Sequence, residues 1–408
     1  MRWEKKTLGD ISIKIQTGPF GSQLHQSDYS EFGTPVVMPK NLINGKISEE
    51  SIARVSKNYV DRLSRHKIEI GDILYSRRGD VGRCAFTTAR EKDWLCGTGC
   101  LKITINREIA NPQFIFYQLQ KAETVGWVIN HAVGSTMLNL NTSILSNVPI
   151  ELPKIEVQNK IVDILSDYDN LIENNLKQIK LLEEAAKRLY KEWFVDLHFP
   201  GYKYVKIDVD GVPKGWIKTG ILDNDLFCLS KSRVKPFNGE KQYYATADVT
   251  NTYFATNGEF ISYDNKPSRA QFEPKLNSVW FARMSNSYKI IGFTKANKNR
   301  LDKTVLSSGF CGFETSRKNW GFVYCTISSN YFNSEKDRYA TGATQVSLTN
   351  EGLKKIKVLI PSDEIIEQFG ELVNPIVDKI VYLYEYNISL QEARDRLLPK
   401  LMSGEIEV

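Results

Sequence analysis

Apolar residues recur at alternating four- and three-residue intervals from Ile161 to Trp193: Ile161, Leu165, Tyr168, Ile172, Asn175, Ile179, Leu182, Ala186, Leu189 and Trp193. That spacing is one stripe of a helix, and over this length it is a coiled-coil seam with a single polar layer. At 1.5 Å per residue the seam is roughly 48 Å long. Such a stripe needs a partner helix. Adding 208 to each number gives Phe369, Val373, Ile376, Ile380, Leu383, Asn387, Leu390, Arg394, Leu397 and Leu401, so the chain carries a second seam of its own.

The regions before the seams have a different rhythm. Residues 1–153 are strand-rich, with β-prone runs such as Pro35-Val36-Val37-Met38 and Cys100-Leu101-Lys102-Ile103-Thr104-Ile105 set between Gly, Pro and Asn. The clearest helix there opens at Asn111-Pro112, with Asn as cap, Pro at the first position, and Phe114, Ile115, Leu119 and Ala122 following. After Leu152-Pro153 the helical pattern takes over for residues 154–199. A linker at 200–215, with Asp210-Gly211-Val212-Pro213-Lys214-Gly215, then leads into a second strand-rich region at 216–361 and a second helix at 362–408. Gly134-Ser135-Thr136-Met137-Leu138-Asn139-Leu140 aligns without gaps to Gly342-Ala343-Thr344-Gln345-Val346-Ser347-Leu348, and Arg188-Leu189 falls on Arg396-Leu397. The predicted fold is α+β: two repeated mixed α/β domains joined by two long helices that form an antiparallel coiled coil with an internal pseudo-two-fold.

The direction follows from the two Asn layers. Asn175 is fifth of ten layers and Asn387 sixth, so antiparallel helices with aligned ends bring the two amides together. A parallel pairing would bury both without partners, at roughly 1–3 kcal/mol each. The same register sets Arg394 against the ring of Tyr168. Pro375, after Asn374, allows a fresh helix start inside the second seam.

A formal charge of +6 over 408 residues permits a nucleic-acid partner without arguing for one. Cys84, Cys96, Cys100, Cys228, Cys311 and Cys325 form no C-x-x-C pair and are expected to be reduced. With no apolar leader and no run of about 18 apolar residues, the expectation is a cytoplasmic protein without a membrane partner.

Catalytic signatures fail one by one. Asn111-Pro112-Gln113-Phe114 approaches the N-P-P-[FY] loop of amino-methyltransferases, but Gln113 replaces the second proline. Gly97-Thr98-Gly99 has Lys102 where a dinucleotide fingerprint needs its third glycine, and no G-x-x-x-x-G-K-[ST] loop occurs. Asp264 with Glu273-Pro274-Lys275 only loosely echoes a nuclease metal site. His25, His66, His131 and His198 are scattered. No catalytic residue and no metal ligand is assigned.

What remains is a set of basic and polar loops. In the first half these hold Gly21, Ser22 and Gln23 after Gly18-Pro19-Phe20, then Lys40 and Asn41, then Arg77, Arg78 and Arg83. In the second half they hold Lys231 and Arg233, Thr246 and Asp248, and Arg283, Ser285, Asn286 and Lys289. The paired glycine segments add Thr136, Thr344 and Gln345. Glycine lets a backbone approach closely, Arg grips guanine bidentately, and Asn or Gln reads adenine, so these are the candidate DNA-binding residues.

Four segments resemble the specificity subunit of Type I restriction-modification systems. They are Gly71-Asp72-Ile73-Leu74-Tyr75-Ser76-Arg77-Arg78-Gly79 with Gly82, the paired Gly134 and Gly342 segments, Arg188-Leu189-Tyr190-Lys191-Glu192-Trp193-Phe194-Val195-Asp196, and Leu397-Leu398-Pro399-Lys400-Leu401-Met402-Ser403-Gly404-Glu405-Ile406. The resemblance implies a non-catalytic host-defence component. Two target-recognition domains would each read half of an interrupted double-stranded DNA site, and the helices would hold them apart and dock two methyltransferase subunits. Restriction and motor subunits would join that core, with S-adenosylmethionine, ATP and Mg2+ on partners and none in this chain. The helix face with Lys180, Glu183, Glu184 and Lys187 is the expected methyltransferase contact. The second domain departs from the pattern: Asn277-Ser278-Val279-Trp280 stands for Gly71-Asp72-Ile73-Leu74, and Arg283-Met284-Ser285-Asn286 lacks the Arg-Gly, so the two half-sites should differ. The rival readings are a protein-binding scaffold without sequence specificity, and a stand-alone nuclease or methylase that would depend on Asp264 or Asn111.

Overall fold

The computed structural model describes residues 3–134, 137–343 and 345–408. The chain divides into two compact units, Met1–Asn170 with Gln391–Val408, and Leu171–Leu390, each a mixture of helices and mainly antiparallel sheet.

In the first unit the main sheet runs Ser12–Thr17, Cys100–Ile105, Ile73–Ser76, Cys84–Phe86, all antiparallel. Cys100–Ile105 is central and covered on both faces, which is why it reads as a nearly unbroken apolar run. Its one charge, Lys102, is buried and compensated by Asp72 at 3.3 Å. A second sheet runs Leu95–Cys96, Thr34–Val37, Ala53–Val55, Tyr29–Ser30, with the first two parallel. Asn111 caps the helix Pro112–Leu119, its side chain accepting from the backbone N–H of Gln113 (2.9 Å) and Phe114 (3.3 Å). Ala122 does not extend that helix but opens another, Ala122–His131.

The second unit repeats the order of the main sheet with other side chains. Its main sheet runs Cys228–Leu229, Phe310–Glu314, Ser278–Ala282, Ile290–Phe293, again antiparallel. Its second sheet pairs Lys241–Tyr244 in parallel with Thr304–Ser307. The core is more aromatic, and glycine makes room for it: a Cβ on Gly312 would lie 2.5 Å from the Trp280 ring. Gly71 and Asn277, which precede equivalent strands, both adopt left-handed φ (89° and 58°), so the backbone repeats where the residue type does not.

The two seams form uninterrupted helices, Ile155–Phe194 and Asp363–Ser403. A left-handed residue follows or closes each, Leu197 (φ 60°) and Gly404 (φ 74°). In the first unit Ile161 and Leu165 share a core with Leu401 and Met402. In the second, Asn175 meets Asn387, Ile179 packs with Ile380 and Leu383, and the rings of Trp193 and Phe369 lie 5.5 Å apart.

Two expectations about the second seam need correction. Arg394 does not cover the Tyr168 ring; its guanidinium bonds the carboxylate of Asp169 at 2.6 Å and that of Asp395 at 2.8 Å. A charge-assisted bond to a neighbouring carboxylate outweighs a cation over a ring. Nor does Pro375 break the helix. Pro375 is exposed, as is Glu371, whose carbonyl it deprives of a donor, so water can take that bond. Buried Asn374 anchors the same turn by donating to the Arg317 carbonyl at 3.1 Å.

Candidate nucleic-acid interface

In the first unit the candidate loops gather around Gly97-Thr98-Gly99, at one end of the main sheet. Gly18 N–H donates to the Cys100 carbonyl at 2.9 Å, and a Cβ on Gly18 would lie 2.0 Å from the Gly97 oxygen. Thr98 Oγ1 donates to the Pro19 carbonyl at 3.0 Å, and Arg77 N–H donates to the Gly99 carbonyl at 2.8 Å. Pro39 packs on Gly99 and Gly97 N–H donates to Val37, which places the Pro39–Asn41 turn on the same hub. The fourth side is the glycine segment: Leu140 N–H donates to the Arg77 carbonyl and Gly79 N–H to that of Leu138. The Gly97-Thr98-Gly99 run, which fails as a dinucleotide fingerprint, is thus the point where these loops meet.

Around this hub Gly21, Ser22, Lys40, Arg78 and Arg83 are exposed. The Arg77 guanidinium lies 5.6 Å from the Phe20 ring, its Nε is buried without a partner, and burial with Arg78 alongside lowers its pKa. Arg83 is paired with Asp80 at 2.6 Å, whereas no carboxylate bonds Arg78 among the described residues. Gln23 accepts from Phe20 N–H at 3.2 Å and so shapes its own loop. Asn41 is buried: its Oδ1 accepts from Met38 N–H at 3.0 Å and its Nδ2 donates to the Ser48 carbonyl at 3.2 Å, so its amide holds the turn that presents Lys40.

The second unit builds the corresponding end of its sheet on the same backbone bonds. Arg283 N–H donates to the Gly309 carbonyl at 2.9 Å and Leu348 N–H to the Arg283 carbonyl at 2.8 Å, repeating the bonds of Arg77 and Leu140. Asp248 caps its turn through Ala245 N–H (2.8 Å) as Asn41 does, and Lys289 Nζ donates to the Thr246 carbonyl at 2.7 Å. A cavity of about 240 Å³ is lined by Ser230, Lys231, Arg233, Phe272, Arg283 and Asn350, among others. Its two arginines are held by neutral groups. Arg233 donates to Gln271 (2.7 Å) and lies 4.7 Å from the Phe272 ring; Arg283 donates to the Leu348 carbonyl and to Asn350, both at 2.9 Å. Among the described residues no carboxylate pairs with Lys231, Arg233 or Arg283, which suits the cavity to an anion even with Glu314 bonded to the lining Ser230 hydroxyl at 2.7 Å. Ser285 N–H donates to the Val346 carbonyl at 3.0 Å, tying the loop to the glycine segment, where Gln345 is exposed. Asn286 is exposed in a left-handed turn (φ 55°). Thr136 and Thr344 lie outside the described residues.

Sequence reading missed Gln271, Phe272 and Asn350, which orient the two arginines. Their only sequence signal is ordinary polarity or aromaticity, and they lie 38 to 67 residues from the side chains they hold. No group of three or more His, Cys, Asp or Glu able to hold a metal occurs among the described residues. Glu273 is paired with Lys241 and Lys275 with Glu314. Among the described residues no helix is long and apolar enough to cross a membrane.

Residues 1–184 match the family model described as "Type I restriction modification DNA specificity domain". Over its full length the chain is 26% identical to the Type I restriction enzyme MjaIX specificity subunit of Methanocaldococcus jannaschii, covering 94% of that protein. The whole chain is thus similar to Type I specificity subunits, and its first 184 residues to their DNA specificity domain. Its similarity to the Type I restriction enzyme HindI specificity subunit of Haemophilus influenzae is 24% identity, covering 99% of each chain. The fold is that of the S subunit of a Type-I restriction-modification system from M. genitalium (TM-score 0.59, 16% identity, covering 98% of this chain and 96% of that one). The loops gathered around Gly97-Thr98-Gly99 lie within the residues that match the DNA specificity domain.

Proposed function

We propose that the two strand-rich regions, 1–153 and 216–361, are target-recognition domains that each read one half of an interrupted, asymmetric DNA site. The observation that carries this reading is a repeated backbone frame with different side chains on it. Arg77 and Arg283 occupy equivalent bonds, yet Arg77 stands with Phe20 and Arg78, and Arg283 with Asn350 and the cavity cations. Loops carrying Gly21, Ser22, Gln23, Lys40, Arg77, Arg78, Arg83 and Thr136 serve one half-site. Those carrying Lys231, Arg233, Thr246, Asp248, Arg283, Ser285, Asn286, Lys289, Thr344 and Gln345 serve the other. Base edges are read in the major groove while Lys and Arg neutralise phosphates.

The long helices act in this reading as an antiparallel coiled coil with a pseudo-two-fold, spacing the half-sites and docking two methyltransferase subunits. The Asn175–Asn387 bond supports the register. Glu183 is engaged by its own unit, accepting from Thr252 Oγ1 at 2.7 Å, which leaves Lys180, Glu184 and Lys187 for the partner. S-adenosylmethionine, ATP and Mg2+ belong to the methyltransferase and restriction subunits in a cytoplasmic complex. The test is to map methylated bases in DNA exposed to this chain with its methyltransferase partner. A two-part motif with an unspecified gap is expected, and deleting one heptad from both helices should shorten the gap. A methylation pattern with no motif would leave only a scaffold role.

A further inference from the structure

The Arg283–Lys289 loop is gripped from outside by two residues that no sequence motif singles out, Lys336 and Asp337 in the helix Asn330–Arg338. Lys336 is 1% exposed. Its ammonium donates to the Met284 carbonyl at 2.8 Å and to Asp337 Oδ1 at 2.7 Å, and lies 5.4 Å from the Tyr288 ring. Asp337 Oδ1 also accepts from Asn286 N–H at 3.0 Å, and its Oδ2 accepts from the Tyr288 hydroxyl at 3.0 Å. One charge pair therefore holds the loop at positions 284, 286 and 288.

A buried lysine is expensive unless paired and fully bonded, so it is a poor choice for mere packing. Here both charges are used on the loop. Burial alone would raise the Asp337 carboxyl pKa, but the bonds from Lys336, Asn286 N–H and Tyr288 outweigh it and hold the group ionised. Tyr288 is 52% exposed and Asn286 sits in a left-handed turn, so few packing contacts fix this stretch. The equivalent loop of the first unit has no such clamp among the described residues. It closes on itself through Arg83 and Asp80 at 2.6 Å, and Gly82 rests on Val125.

We propose that Lys336 and Asp337 are positioning residues that set the base preference of the second recognition domain by fixing the Arg283–Lys289 loop before DNA arrives. This rests on the reading of that loop as a DNA contact. Discrimination between bases needs donors held in place in advance, because a loop ordered on binding loses part of its selectivity to ordering entropy.

The test uses the full-length chain and a pool of random-sequence duplex DNA, with bound duplexes sequenced after selection. The wild type should enrich a two-part motif. Asp337→Asn keeps the shape but removes the charge, and should flatten one part of the motif by roughly tenfold in base preference while leaving the other part unchanged. Tyr288→Phe removes one hydroxyl without threatening the fold, and should give the same one-sided loss to a smaller degree. A merely structural role would flatten that part only together with a lowered melting temperature, whereas a positioning role flattens it at an unchanged melting temperature, as Tyr288→Phe should show. If the wild-type motif survives Asp337→Asn and Tyr288→Phe with both parts intact, the proposal is overturned alone. If the wild type enriches no motif, the DNA reading falls and takes the proposal with it. Should Asp337→Asn fail to fold, Tyr288→Phe decides.

Discussion

Asn175 Nδ2 donates to Asn387 Oδ1 at 2.8 Å, with both residues 5% exposed, so the amides of the two seams bond each other, although the Asn387 Nδ2 is left buried without a partner. Asn175→Leu leaves the Asn387 amide without its donor in an apolar layer, which should cost about 1–3 kcal/mol in chemical denaturation. The Asn175→Leu/Asn387→Leu double variant should recover most of that loss while losing the device that fixes register. A single variant as stable as the wild type would show that this bond contributes nothing.

Among the described residues no carboxylate pairs with Lys231, Arg233 or Arg283 around their cavity. Replacing Lys231 or Arg233 by Ala should lower the slope of log K against log salt for duplex DNA by about 1 each if each meets a phosphate. Lys275→Ala is the control, since Lys275 is already paired with Glu314 at 2.8 Å. Filter binding or fluorescence anisotropy at four or five salt concentrations measures the slopes.

Gly18 meets the Gly97 carbonyl so closely that any side chain must displace backbone, with 2.0 Å left for a Cβ. Gly18→Ala should therefore destabilise the first unit by about 2 kcal/mol or more. On the proposed reading, a methylation map should then lose only one part of the two-part motif. Gly21→Ala, where a Cβ meets nothing within 4 Å, should be tolerated.

His66 is buried, accepts from Arg65 Nε at 2.9 Å, and has its pKa pushed down to about 4 by burial first and then by Arg65 and Lys102. The unfolded chain protonates this ring near its ordinary pKa of about 6.5, before the folded chain does. Stability should fall as pH drops from about 6.5 to about 4, by at most about 3 kcal/mol, and this contribution should level off below that. In His66→Gln, denaturation midpoints should lose this part of their pH dependence.

The sequence was most legible where a period repeats over many residues. The seams announced both long helices, and the 208-residue offset paired the segments around Gly134 and Gly342. The Asn111 cap was equally readable, because capping is a local interaction between near neighbours. Local patterns said less about Arg394 and Pro375. Whether a guanidinium chooses Tyr168 or Asp169 depends on side-chain direction, and whether a proline breaks a helix depends on what faces the freed carbonyl.

The candidate interface divides in the same way. Composition alone marked the basic and glycine-rich loops, since charge and backbone freedom are properties of residue type. Asn41 carried the right chemistry to read adenine, yet folding spent its amide on Met38 and Ser48. Gly97–Gly99 became a hub, and Gln271, Asn350, Lys336 and Asp337 became supports, only because strands distant in the chain end side by side. Periodicity and residue type determine which elements form and which side chains are available. Tertiary structure decides which polar groups are consumed internally and which are left for a ligand, because hydrogen bonds and ion pairs are made between neighbours in space.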